Sequence, residues 1–288
     1  NWSATGGDLA GRDGALFRFL NASKRSIADT GGEVEALLSS THLIVEDLGG
    51  VFPHDRDELR ERYPQLVILS ISPFGLSGPL AETASTEFII QAESGSLAIR
   101  GLPEGEPYQA GARTTEWTGG TFAGVAAVGA LHGAARTGVG EHIDFSLQEA
   151  MALASTTYLD LMWGLLGRPP VAGAMQSVET PSIHRTRDGF VGFNTNTQQQ
   201  IQDFLVMIDR ADLIATGEFN QVPDRMARLV EWEGIVNSWT INRSTAEIVE
   251  LASALRVPVA PVSNGQSVLE HEHLVARGIY SEDPSRGF

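Results

Sequence analysis

The sequence predicts an α/β protein with a larger unit built on a parallel sheet and a smaller α+β unit. Three observations carry that reading. Leu43 to Glu46 and Leu66 to Ile71 are short apolar runs bounded by turn residues, the form of buried parallel strands. Glu33 to Ser39 and Arg56 to Tyr63 are helical and lie beside and between those runs, which is the α/β alternation. Beyond Pro181 the texture changes to short strands and capped helices.

In order along the chain, Pro64 ends the second helix, since proline cannot donate to the ladder. Thr115 to Arg136 reads as a helix with Gly119, Gly120, Gly124 and Gly129 along it. Each glycine costs an exposed helix about 1 kcal/mol relative to alanine, so their number fits a helix packed closely on something. Thr137 to Glu149 reads as a glycine turn, a short strand and the first turn of a helix that runs from Leu147 to Leu166. Polar residues interrupt both long helices, and neither reads as a membrane span. Gly167 to Pro170 ends the second one, and a loop follows to Glu179.

In the smaller unit, Asp188-Gly189 opens a strand over Phe190 to Phe193. Thr197 to Ile208 is a helix capped by the Asn194 to Thr197 run, and Pro223 to Thr240 is a helix. Ser244-Thr245-Ala246-Glu247 is a capping box that starts a helix to Leu255, and Val257 to Val262 is a strand. The expected division is 1–180 and 181–270, with 271–288 returning to the large domain.

Composition narrows the function classes. The 288 residues hold no Cys, which excludes disulfides, thiolate catalysis and cysteine zinc sites. Thirty-six acidic against 20 basic residues give a net charge of −16, against nucleic-acid binding, which needs a basic footprint. A polyanionic ligand must therefore find a local basic patch, of which Lys24-Arg25 is the best and Arg12, Arg18 and Arg100 are weaker. The composition fits a cytoplasmic globular enzyme, and the sequons at Asn1, Asn21 and Asn242 read as chance matches. P-loop, dinucleotide, zinc-protease and nucleophile-elbow motifs are all missing from the sequence. His271 and His273 share no helix face, so no metal site is expected there.

Glu149 is the residue of interest. A carboxylate where a strand hands over to a helix sits among backbone N–H groups that stabilise its charge and could hold a reacting oxygen. The bland alternative is an ordinary first-turn acid favoured by the helix dipole. His142 fits a surface role or one supporting the site from behind, rather than a catalytic one, and Asp144 a structural one, with Asp144 the fallback acid. Trp117, Trp163 and Trp232 fit core or interface anchors.

Six segments, in order, resemble the family III CoA-transferases, the group that contains formyl-CoA transferase, carnitine CoA-transferase and alpha-methylacyl-CoA racemase. They are Asn21 to Ser26, Leu43 to Gly50, Leu66 to Pro79 with its Gly75-Leu76-Ser77-Gly78-Pro79 turn, Gln91-Ala92-Glu93-Ser94-Gly95, Arg187 to Phe190, and Val257 to Val262. The resemblance implies a Rossmann-like large domain, an interlocked homodimer or a tandem-fused pair, and the glycine-bearing helix at the dimer centre. It implies CoA or acyl-CoA and a carboxylic acid as substrates, with no metal, nucleic acid or membrane. It places CoA near Asn21, Lys24 and Arg25, and near Asp47 and Leu48. It puts Glu149, within Leu147-Gln148-Glu149-Ala150, in the nucleophile position.

Two positions depart from the family pattern. Glu149 replaces an aspartate, and Asp47-Leu48 replaces Asn-Phe. The chain also starts after the family's usual first strand and helix and stops before its usual end, which reads as an excerpt of a longer polypeptide. Three readings stay open. One is a transferase using Glu149 as nucleophile. Another is a catalytically silent half of a fused protein that binds CoA or serves assembly. The third is a racemase, hydratase or lyase with Glu149 as base, against which Leu97 to Thr118 contains no His.

Overall fold

A computed structural model describes residues 7, 9–11, 13–28, 32–47, 55–98, 100–101, 105–155 and 181–280. The chain divides into two compact units, Asn1–Ala174 and Met175–Phe288. Residues 271–280, expected to rejoin the first unit, group with the second. Chain-local hydrogen bonds tie them to the preceding loop, as in His271 N–H to Val268 O and Leu274 N–H to His271 O.

The first unit is built on a parallel sheet of β1 (Leu43–Asp47), β2 (Val67–Ser72) and β3 (His142–Ser146), in that order. Ile44 pairs with Ile68, and Ile68 with His142. β2 is central and nearly all buried, its apolar residues joined by the buried, hydrogen-bonded Ser70 and Ser72. Both faces are covered. On one, Ile44, Leu66 and Ile68 pack against Leu38 of α2 (Glu33–Leu38) and Leu59 of α3 (Arg56–Arg62). On the other, Leu69, Ile71, Ile143 and Phe145 meet Ala123 and Ala127 of α5 (Thr114–Thr137). The short α1 (Ala15–Leu20) precedes the sheet, and α4 (Glu87–Glu93) lies between β2 and α5.

Small residues at four-residue spacing, Thr115, Gly119, Ala123 and Ala127, form the buried stripe of α5. Of its four predicted glycines only Gly119 is buried. A Cβ on Gly120, Gly124 or Gly129 would meet nothing within 4 Å in this chain. Trp117, expected as a core or interface anchor, is 47% exposed on the same helix and so is not part of the core. A sixth helix, α6, begins at residue 147 and is described to 155; the rest of the predicted helix, with Tyr158 and Trp163, lies outside the described residues.

The second unit has an antiparallel sheet, β4-β5-β6, of Ile183–Arg185, Phe190–Phe193 and Val259–Pro261. Six helices follow or intervene: α7 (Gln198–Met207), α8 (Asp212–Thr216), α9 (Val222–Ala227), α10 (Leu229–Thr240), α11 (Thr245–Ala254) and α12 (Glu272–Ala276). The capping box predicted at Ser244 is present in full, and Thr197 forms a second one with Gln200. Phe193, Phe204, Phe219 and Trp232 make a chain of tilted and edge-on rings at the core, with Phe193 and Phe204 centroids 5.1 Å apart. The single helix expected over 223–240 is two. Arg228 leaves helical geometry at φ −121° and ψ 39°, where its guanidinium bonds both Glu218 and Glu231 and lies 4.4 Å from the Phe219 ring.

His184 on β4 is buried, with Nδ1 2.9 Å from Asn237 Oδ1, while Ser182 N–H points to Nε2 at 3.4 Å. That arrangement suits a neutral ring protonated at Nδ1. Burial lowers the His184 pKa from its ordinary 6.5, against the opposing influences of Asn237 and Glu233. The unfolded chain therefore takes up this proton first as pH falls. Stability from His184 is complete above 6.5 and drains away as pH drops below it. In urea titrations followed by Trp232 and Trp239 fluorescence, the midpoint should fall between about pH 8 and about pH 5.5, and His184→Gln should shrink that fall. An identical fall in the variant would remove His184 as the cause.

Candidate active site

In open parallel sheets, ligands bind beyond the carboxyl ends of the strands. A cleft of about 1000 Å³ lies there in the first unit. Asp47 at the end of β1, Ser72 and Pro73 at the end of β2, the 81–85 strap, Glu116 and Gly120 of α5, and Leu147 of α6 line it. Its charged lining is all acidic. Arg56 neutralises Glu46 from α3, and Arg113 holds Glu116 at 2.7 Å.

The sheet delivers α6 to this edge. Ser146, the last residue of β3, is buried and caps the helix, its Oγ accepting the Glu149 N–H at 3.2 Å. Gln148 N–H donates to Pro73 O at 3.0 Å, and Gln148 Nε2 to Glu93 O at 3.2 Å. Leu147 sits directly on Gly119, where any Cβ would overlap its Cδ2. Glu149 is exposed, two residues past the cleft-lining Leu147.

One expectation is corrected here. The N–H groups of Gln148 and Glu149 are taken by Pro73 O and Ser146 Oγ, so they do not stand ready for a reacting oxygen. The Ser-x-x-Glu spacing of Ser146 and Glu149 was the readable sign of that cap.

Asp144 has the structural role. Leu76 N–H lies 3.0 and 3.1 Å from its two carboxylate oxygens, and Gly75 N–H donates to Ser72 Oγ at 2.8 Å. Together they shape the loop leaving β2, in which Gly75 (φ +89°) lies against the Asp144 carboxylate. His142 is half-buried rather than a plain surface residue. Its Nε2 is 2.8 Å from Ser70 Oγ, Ser70 donates to the buried Glu46, and Arg56 completes the row. Burial lowers the His142 pKa first, Arg56 and Arg60 add to it, and Glu46 and Asp144 oppose. Sequence reasoning missed Glu46 and Ser70, because the row exists only through cross-strand register, Glu46 beside Ser70.

Of the residues expected at CoA, Asp47 forms part of the cleft wall, and Leu48 lies outside the described residues. Asn21 is the C-cap of α1, and its Nδ2 donates to Phe17 O at 2.9 Å. Lys24 and Arg25 are exposed after Ser23, whose φ is +64°. Lys24 is the one lysine of the chain. None of these three lines the cleft.

The sequence model of CoA-transferase family III matches residues 52–286. The chain belongs to CoA-transferase family III. As a family III chain it is 25% identical over 289 residues to succinate–glutarate CoA-transferase of Agrobacterium fabrum, covering 96% of this chain and 71% of that protein. It is 24% identical over 299 residues to an acyl-CoA transferase of Fusarium pseudograminearum, covering 99% of this chain and 64% of that one. Its fold matches a CaiB/BaiF family protein from Brucella suis with a TM-score of 0.71 at 24% identity, over 85% of this chain and 66% of that one. This family III chain thus spans roughly two thirds of the length of these relatives. Among its described residues no helix is long and apolar enough to cross a membrane.

Proposed function

We propose that this chain moves CoA from an acyl-CoA to a carboxylic acid through a covalent adduct on Glu149. The observation that carries the reading is an exposed carboxylate on a fastened helix turn, at the carboxyl edge of the parallel sheet and beside a large cleft. The carboxylate attacks the thioester carbonyl, and the C–S bond breaks to release CoA thiolate and leave a glutamyl–acyl anhydride. The thiolate attacks the glutamyl carbonyl and expels the donor acid, leaving a glutamyl–CoA thioester. The acceptor carboxylate attacks that thioester, releases the thiolate again and forms a new anhydride. Thiolate attack on the acceptor's carbonyl then yields the new acyl-CoA and restores Glu149.

The acidic lining suits the neutral pantetheine arm of the substrate and repels its phosphates, while the pairing of Glu46 with Arg56 and of Glu116 with Arg113 limits its repulsion of an acid substrate. The phosphates fall to Lys24 and Arg25, with Asn21 shaping their turn and Asp47-Leu48 nearer the pantetheine. Succinate and glutarate, which name the Agrobacterium relative, are the first acids to offer. A second copy or a fused partner completes the assembly in this reading.

One observation favours the silent alternative: Glu149 stands at the third helical position behind a serine cap, a place that structure alone rewards. Trapping separates the two. The protein is incubated with succinyl-CoA or acetyl-CoA, quenched with hydroxylamine, and the peptide 141–163 is mass-mapped. A hydroxamate on Glu149 is expected. Unmodified Glu149 with CoA still bound would establish the silent reading instead.

A further inference from the structure

The first turn of α6 is fastened by a side chain that the proposed chemistry does not use. Gln148 Nε2 donates to Glu93 O at 3.2 Å, and its backbone N–H to Pro73 O at 3.0 Å. Glu93 ends α4, and the turn behind it is internally braced. Leu97 N–H and the hydroxyls of Ser94 and Ser96 all donate to Gln91 O. The Gln91 side chain, fully buried, exchanges two hydrogen bonds with the Ala110 backbone, at 2.9 and 3.1 Å, and donates to Glu87 at 2.8 Å. Glu87 in turn accepts the Thr115 N–H at the start of α5. The carbonyl held by Gln148 is thus fixed to α4 and α5, through bonds that do not involve α6.

We propose that Gln148 is a positioning residue that sets where the Glu149 carboxylate stands, by tying the first turn of α6 to the Glu93 carbonyl. The kinetic side of this inference rests on the proposed Glu149 adduct; the structural side does not. Ser146 fixes the Glu149 N–H and Pro73 fixes the Gln148 N–H, but both belong to the same strand edge. Leu147 rests on Gly119 of α5, and Gln148 adds the directional hydrogen bond to α4 that limits rocking of the turn about that edge. Placement errors on the ångström scale cost about 100-fold in rate where a nucleophile must meet a carbonyl.

The test uses the whole chain with Gln148→Leu, which keeps volume and removes the donor, and Gln148→Met as a second variant. Single-turnover formation of the Glu149 adduct from succinyl-CoA should slow about tenfold or more while KM for succinyl-CoA stays within about twofold. Amide hydrogen exchange at Glu149 should quicken in both variants. An unchanged adduct rate overturns the proposal, as does unchanged exchange. If the unmutated protein forms no adduct with any acyl-CoA, the nucleophile reading alone fails, and exchange at Glu149 then decides for or against Gln148.

Discussion

Glu149→Gln is expected to abolish the proposed CoA transfer, by at least about a thousandfold in kcat, while leaving the fold intact. The amide is isosteric with the acid and cannot attack a thioester at neutral pH. Its structural cost is small. An acid in a helix first turn is worth about 0.3–1 kcal/mol through the dipole, and the Ser146 cap uses the Glu149 backbone, which the substitution keeps. Glu149→Asp is the more discriminating change. The family pattern has aspartate here, so chemistry alone would tolerate it. The turn, however, is held by Pro73, Glu93 and the Leu147–Gly119 contact, and cannot advance to make up the missing methylene. Withdrawing the carboxylate by about 1 Å should cost about 100-fold in kcat. Steady-state kinetics with succinyl-CoA and glutarate read both variants. A fully active Gln variant would end the nucleophile reading, and an Asp variant at full speed would show that the turn moves.

Gly140→Ala is expected to be the most damaging single methyl among the described glycines of the first unit. Gly140 N–H donates to Pro64 O at 2.7 Å, bringing the chain entering β3 across the chain entering β2. A Cβ on Gly140 would run into the carbonyl of Leu66 and stand 2.7 Å from Gln65 O. All these atoms are backbone, so no rotamer change relieves the overlap, and the β2–β3 register must shift. Overpacking of this kind costs about 3 kcal/mol or more. Gly138 supplies the matched control. Its φ of +78° strains an alanine by about 1–2 kcal/mol, but nothing lies within 4 Å of its Cβ. Urea midpoints should therefore rank wild type, Gly138→Ala, then Gly140→Ala well below. Equal losses would mean that the close approach does not govern stability.

The sequence displayed those parts of the fold that are decided locally. β1, β2, α3, α5, α7 and α11 fall within a residue or two of expectation, because apolar periodicity and caps such as Thr197 and Ser244 are written in neighbouring residues. β4 was not legible. Only His184 of its three residues is buried, and Ile183–Arg185 is a strand because it pairs with β5. The short helices α1, α4, α8 and α12 went unread for the same lack of periodicity. At the candidate site, Glu149 stood out through residue type and position, and Asp47 only through the family resemblance. The Arg56–Glu46–Ser70–His142 row and the Gln148–Glu93 tie did not, since each joins residues far apart in the chain through register or packing.

β5 is the inner strand of the second sheet, and its neighbours arise at opposite ends of that unit. During synthesis β4 and β5 leave the ribosome together, with one edge of β5 open. Asp188 in their turn must wait for Thr245, whose N–H and hydroxyl it accepts, and β5 must wait for Val259 to Pro261. The helices that cover Val191 and Phe193, namely α7, α8, α10 and α11, are all made between β5 and β6. The nascent second unit can therefore cover a face of β5 while one edge of that strand is still open. The sheet is complete only once β6 emerges, and a translational pause before that point prolongs a free strand edge, a ready template for pairing with another chain.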